Sequence, residues 1–305
     1  MTATLITISV YSLWTAIGLY MAAFTAFAFD LGGRAAATTV NSEPGTIAAP
    51  TRPRRAARVA TALTVLGFVM HLTATVTRGI AAERVPWDNL FGFSLVSTLL
   101  VMAVYLLVLI WVDLRFVGAF MTMLIVILLG GASTLYYVDV TPLDPALNSA
   151  WLVFHVIVAA LSMGLFGVGF ALSVAQLLRS RWSLDETNRG GFRRLLATFP
   201  DPARLETLAY QLNIVGFVLW TFTLTAGAIW AEQAWGRFWG WDVKETWTFI
   251  IWVIYAGYIH ARATRGWRGA RSAWLSIVGF LAVIFNTTVV NTLFKGLHSY
   301  SGLSS

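Results

Sequence analysis

Residues 230–247 read WAEQAWGRFWGWDVKETW. Five tryptophans (Trp230, Trp235, Trp239, Trp241, Trp247) stand among three carboxylates (Glu232, Asp242, Glu245) and two cations (Arg237, Lys244). Apolar runs flank the stretch on both sides. Its charges keep it out of hydrocarbon, where each would cost about 2.5–3.5 kcal/mol at mid-bilayer. It therefore reads as an extramembrane loop joining two membrane spans, and that reading decides the fold class. Each indole offers a broad apolar face and one N–H donor, so the loop predicts a stacking surface for a large, flat, mostly apolar ligand. An aromatic belt at a bilayer surface accounts for one or two tryptophans at a helix end. It accounts poorly for Trp239 and Trp241 closed by Asp242, with Gly236 and Gly240 interleaved.

Outward from the loop, the chain of 305 residues is 58% hydrophobic and only 11% charged, with a mean hydropathy of +0.72. These values predict an all-α, polytopic membrane bundle. Eight apolar runs are long enough to cross a bilayer, at approximately 4–31, 59–77, 90–113, 116–138, 150–178, 207–229, 247–261 and 273–294. The seventh is short and begins inside the Trp-rich stretch. The first has no Lys or Arg before it and Arg34 just after it, which predicts an uncleaved span with its N-terminus outside rather than a signal peptide. Eight spans then put the C-terminus outside as well. In this orientation the inner segments carry sixteen Lys and Arg, and the outer ones five: Arg78, Arg84, Arg237, Lys244 and Lys295. That bias agrees with the positive-inside rule and places the Trp-rich loop on the outer face.

The expected organisation is a first transmembrane helix at 1–31, a flexible basic cytoplasmic linker at 32–58 and a membrane domain at 59–305. Asp201 and Pro202 predict a helix start after the basic 179–206 segment, and Asp88 or Asn89 predicts another. The net charge of +7 is not gathered on a soluble face, so nucleic acid is not an expected partner. The chain has no cysteine, hence no disulfide, thiolate metal site or redox thiol of its own.

Four histidines complete the picture. His155 lies a few residues inside the outer end of the fifth span, and His298 just after the eighth, so both fall at the face that carries the Trp-rich loop. Two imidazoles approaching from opposite sides would supply the axial ligands of a haem iron. The tryptophans and Asp242 would then form its platform, with Arg237 and Lys244 as candidates for its propionates. Taken singly, His155 also reads as an interhelical hydrogen-bonding residue and His298 as a solvated loop histidine. His260 lies near the inner end of the seventh span, about 20 Å of helix from Trp247. It reads either as a second, inner haem station or as a side chain snorkelling to the interface. His71, on a face with Gly67, Ala74 and Arg78, reads as structural.

The residues carry a family resemblance. WGRFWGWDVKETW resembles the Trp-rich motif of haem-handling proteins, WGxxWxWDxxE. SAWLVFHV before it, WVIYAGYIHAR after it and FKGLHSYSG near the C-terminus are similar to the CcsA (ResC) type of subunit of the system II cytochrome c synthase. The resemblance runs from about residue 60 to the end. It implies haem b as the transported substrate, a ResB/CcsB-type membrane subunit as partner, and covalent attachment of haem to the CxxCH motif of apocytochrome c. It also implies a thioredoxin-like reductant for the substrate's thiols, and a bacterial plasma membrane with the active face outside. In the resemblance His155 and His298 match the outer haem ligands and His260 the transmembrane histidine. Two departures stand out: Val243 where relatives carry Pro, and Gly92 where they often carry Glu. The same motif occurs in system I proteins that present haem to a chaperone. A solute or ion transporter gated by the tryptophans is the rival of another class, and the scarcity of acids at mid-span counts against it.

Overall fold

The computed structural model describes residues 1–40, 55–140, 147–183, 191–294 and 296–297, and every regular element among them is a helix. They are α1 (Thr2–Val40), α2 (Arg55–Ala82), α3 (Leu90–Trp111), α4 (Gly118–Leu135, entered through a 3-10 turn), α5 (Ala150–Ser183), α6 (Gly191–Ala197), α7 (Pro202–Trp235), α8 (Val243–Arg265) and α9 (Ala270–Phe285). The last runs on through a π-helical turn, Asn286–Val290, into Asn291–Leu293. The expected helix starts are present: Asp201 accepts from Ala203 N at 3.1 Å with Pro202 behind it, and Asn89 rather than Asp88 caps α3. Asp88 instead pairs with Arg84 at 2.7 Å.

Seven of these helices are long and apolar enough to cross a membrane, in agreement with a polytopic bundle. Of the eight expected spans, α8 falls short in hydropathy because its tryptophans, tyrosines and His260 interrupt the aliphatic residues. Its two ends nevertheless stand at the two ends of the bundle. Lys244 in its first turn meets Asn291, at the far end of α9, whereas Arg262 in its last turns meets Glu206, at the start of α7. α8 is thus a full-height helix, with Thr248, Tyr255 and Arg262 turned to protein and His260 exposed. Two boundaries differ from expectation. α1 continues to Val40 and α2 begins at Arg55, so the ends of the expected 32–58 linker are helical, and residues 41–54 lie outside the described residues. An i,i+4 pair between Asp30 and Arg34 at 2.7 Å carries α1 past its apolar run.

α1 and α2 pack closely through small residues: Gly67 lies under the ring of Tyr20, and Ala16, Ala23, Ala60 and Ala74 are fully buried. His71 is buried here, with Nε2 2.9 Å from Leu95 O and Nδ1 3.5 Å from the Tyr20 hydroxyl. That is the structural role the sequence suggests.

α5, α7, α8 and α9 form an up-down-up-down unit with an unusual seam. Polar or small residues recur every seven positions: His155, Ser162, Gly169 and Gln176 on α5, and Glu206, Asn213, Trp220 and Gly227 on α7. Thr248, Tyr255 and Arg262 do the same on α8, and Ser272, Gly279 and Asn286 on α9. A seven-residue repeat keeps one helix face on one neighbour, and contacts tie the residues in layers. At one end Arg262 pairs with Glu206 at 2.7 Å, and Glu206 accepts from Gly269 N at 2.9 Å. One layer up, Asn213 donates to Ser276 Oγ at 2.9 Å. Above that, Ser162 donates to Gly216 O at 2.6 Å and Trp220 to Thr248 O at 3.1 Å. The layer at the opposite end contains His155. Large apolar side chains such as Val218, Phe222, Val253 and Trp274 are exposed on the outside of this unit, as expected of a face turned to lipid.

Candidate haem-binding site at one end of the bundle

His155 stands in the second turn of α5, against α7. Its Nδ1 is 2.9 Å from the carbonyl oxygen of Thr223. A carbonyl only accepts, so Nδ1 carries the proton and Nε2 carries the lone pair. The ring reaches the α7 backbone because residue 227 is glycine; a Cβ there would lie 2.7 Å from Cε1 and 2.8 Å from Nδ1. Trp230, one turn further on and nearly fully buried, stacks on the imidazole at 6.2 Å with the planes 23° apart. Trp235 meets Trp230 edge-on at 4.8 Å.

Clefts open on both sides of His155. One is lined by Trp87, Asn89 and Phe93 from the start of α3, with Trp230, Lys244 and Asn291. The other has Phe238, Trp239 and Thr248 in its wall. Lys244 borders both, touches Asn291 and lies 5.8 Å from the Phe93 ring.

The stretch 230–247 is less of a loop than its composition suggests. α7 runs to Trp235 and α8 starts at Val243, so only residues 236–242 are non-helical. Accordingly the tryptophans do not form a single shelf. Trp230 and Trp235 stand with His155. Trp239 and Trp241 meet edge-on at 5.7 Å, and both lie against Phe249. Trp247 packs on Phe285 at 4.4 Å, against the core.

The acids of the motif hold the backbone. Asp242 caps α8, accepting from Lys244 N at 2.7 Å, and Glu245 answers from the third helical position to complete a capping box. Glu245 is buried, accepts from Gly240 N at 2.8 Å and Asp242 N at 3.1 Å, and pairs with Arg237 at 3.4 Å. Those two amides flank Trp241, whose φ of +58° is one that a bulky residue rarely adopts. The carboxylate thus clamps a strained turn that presents the exposed indole of Trp241. Val243 occupies the first helical position, where Pro is equally at home, so that departure leaves the cap intact. Gly92 is a packing requirement: a Cβ there would come within 2.3 Å of Pro86 O.

Of the residues singled out from sequence, the structure brings together His155, Trp230, Trp235 and Lys244, with Trp239 on the second cleft. Arg237 is engaged with Glu245 instead. His298 lies outside the described residues, but its neighbour Leu297 donates from its amide to Asp242 Oδ2 at 2.9 Å, tying the C-terminal segment to the motif. His260 is exposed on α8, well away from this end. Sequence reasoning missed Gly227, Thr223 and Trp87, and read Asn291 as interhelical glue. Only Gly227 left a signal, as the fourth member of the seven-residue series on α7.

Helices and site together define a polytopic helical membrane protein with a backbone-anchored histidine among tryptophans at one end of a four-helix unit. The chain belongs to the cytochrome c assembly protein family, whose family model matches residues 87–298. It is 44% identical over 173 residues to the cytochrome c biogenesis protein CcsA of Prochlorococcus marinus (strain MIT 9312), covering 52% of this chain and 56% of that protein. To CcsA of Synechococcus sp. (strain CC9902) it is 40% identical over 177 residues, covering 52% and 58%. The chain thus spans little more than half the length of these curated relatives. The solved structure of a cytochrome c heme lyase, CcmF, superposes with a TM-score of 0.64 at 18% identity over 98% of this chain and 48% of that one, a likeness of fold.

Proposed function

We propose that the chain binds haem b at the extracytoplasmic face of a bacterial plasma membrane. With a ResB-type membrane subunit it delivers the haem for covalent attachment to the CxxCH motif of apocytochrome c. The observation that carries this reading is the Nδ1–carbonyl bond of His155 beside the stacked Trp230. Metal-binding histidines almost always donate their second nitrogen in this way, which fixes the ring and makes Nε2 a better ligand. The donor set fits the macrocycle: an imidazole nitrogen for iron, indole and phenyl faces for the ring, and an ammonium for a carboxylate.

In this reading His155 holds the iron from one side and His298 from the other. Trp230, Trp235 and Phe93 exclude water from the ring, and Lys244 orients a propionate. Haem brings the vinyl groups to which the substrate's thiols add, an S–H addition across C=C that consumes no oxidant. The chain has no cysteine of its own to compete, so its contribution is positioning. A thioredoxin-like reductant keeps the CxxCH thiols reduced. The exposure of His260 suits an inner station completed by a ligand from the partner subunit.

The test is the absorption spectrum of the protein purified with its partner from haem-supplied cells. A bis-histidine spectrum is expected. It should be lost in His155→Ala and His298→Ala and restored to His155→Ala by added imidazole. A colourless wild-type complex overturns the reading. Co-purification of a dedicated haem chaperone in place of a ResB-type subunit would redirect it to chaperone delivery.

A further inference from the structure

Asp242 makes two bonds to backbone, and the second has no part in the function proposed so far. One carboxylate oxygen, Oδ1, accepts from Lys244 N at 2.7 Å and caps α8. The other, Oδ2, accepts from Leu297 N at 2.9 Å, across 55 residues of chain. A helix cap alone does not call for a carboxylate, since Asn or Ser fills that position as well as Asp. What Asp adds is a second oxygen that only accepts. An Asn would present one oxygen to Lys244 N, but its other atom would be an NH2 group, which cannot receive the Leu297 amide. The Leu297 bond, and not the cap, therefore accounts for Asp at this position.

The chain on the other side is shaped to receive the carboxylate. A Cβ at Gly296 would lie 2.7 Å from Asp242 Oδ2, closer than ordinary contact. Glycine lets the backbone come this near, so that the next amide reaches the oxygen. A second tie runs beside the first: Lys244, two residues on from Asp242, meets Asn291 where the last helix ends. The start of α8 thus holds the chain at Asn291 and again at Leu297. His298 is the next residue in the sequence. Stretches near a chain end stay poorly ordered unless something ties them down.

We propose that Asp242 is a positioning residue for His298: by holding the Leu297 amide it sets the second imidazole opposite His155. This rests on the haem reading above, and it moves the aspartate from the platform expected from sequence to the C-terminal arm. The tether acts through effective concentration, because an imidazole held at the site competes for iron far better than one on an untied segment. With both oxygens engaged by backbone, the aspartate need touch neither iron nor ring.

Asp242→Asn separates the two bonds, because it keeps the cap and removes the acceptor for Leu297. The full chain is purified with its partner from haem-supplied cells, and its spectrum is read beside a melting curve. Asp242→Asn should lose most of the bis-histidine spectrum, as His298→Ala does, melt close to wild type, and regain the spectrum with added imidazole. Gly296→Ala, which sets a Cβ against the carboxylate, should behave alike and carries the test if Asp242→Asn does not fold. Asp201→Asn, the same exchange at the cap of α7, is the control and should keep the wild-type spectrum. A second measurement needs no haem. In the haem-free complex, proteolysis beyond Leu293 should quicken several-fold in Asp242→Asn and Gly296→Ala but not in Asp201→Asn. A wild-type spectrum in Asp242→Asn overturns the proposal, whether or not cleavage quickens. Loss of the spectrum that imidazole does not restore overturns it as well, by making the damage structural. A bis-histidine spectrum that survives His298→Ala is a different failure: it removes His298 from the haem reading itself.

Discussion

A methyl group at position 227 would sit 2.7 Å from Cε1 of His155. Ala is the better helix former by about 1 kcal/mol, so Gly227→Ala should barely change thermal unfolding while it pushes the imidazole off α7. The expected result is a several-fold loss of bound haem in a folded protein, read by absorbance beside a melting curve; unchanged haem content would remove Gly227 from the site. Lys244, in the turn before the apolar part of α8, makes a second prediction. Burial pushes its ammonium down to about 8, against the pull of Asp242. Below that pH it is a cation bordering the His155 clefts, and above it the charge is lost. Haem affinity should therefore weaken as pH rises through 8, and Lys244→Arg should hold it level, because guanidinium keeps its charge. Stability moves the other way. The folded value lies below that of an unfolded lysine, about 10.4, so the cost of burying the charge is felt in full below 8 and is relieved between 8 and 10.4.

At the scale of elements, the loop between α7 and α8 depends on one carboxylate. Glu245 accepts from the amides on both sides of Trp241 and completes the cap of α8. Glu245→Gln should cost about 1 kcal/mol at the cap and free Trp241 from its left-handed conformation. Limited proteolysis of residues 236–242 should quicken while helix content stays nearly constant. If cleavage does not change, the clamp is not what holds the turn. The motif's glutamate and aspartate are legible in sequence as charges near a ligand. Their work as backbone acceptors was not, because a capping box is set by helix phase, and the sequence alone did not show that α8 begins at Val243.

At the scale of the whole molecule, the polar seam joins the two ends of the α5–α7–α8–α9 unit. The Glu206–Arg262 pair closes the end away from His155, with both side chains largely buried. Removing one partner from a buried pair costs about 3–5 kcal/mol, whereas replacing both by apolar residues of like size is far milder. Glu206→Ala should lower the melting temperature in detergent markedly, and the double variant Glu206→Met, Arg262→Met should recover most of it. Equal losses in the two would show that the pair does not act as a unit. The seam also explains how α8 keeps full height at a lower hydropathy: Thr248, Tyr255 and Arg262 face protein neighbours, while His260 is exposed.

The sequence by itself determined the class, the helix start at Pro202, and the residues able to ligate or stack. These follow from composition and local spacing, which act within a few residues along the chain. Tertiary structure alone decided that Trp230 stacks on His155 while Trp247 packs against the core, and that Arg237 turns to Glu245 while Lys244 meets the cleft. It also decided that His260 faces outward. Each of those outcomes depends on which faces of separate helices meet, and that is settled by packing between segments tens of residues apart.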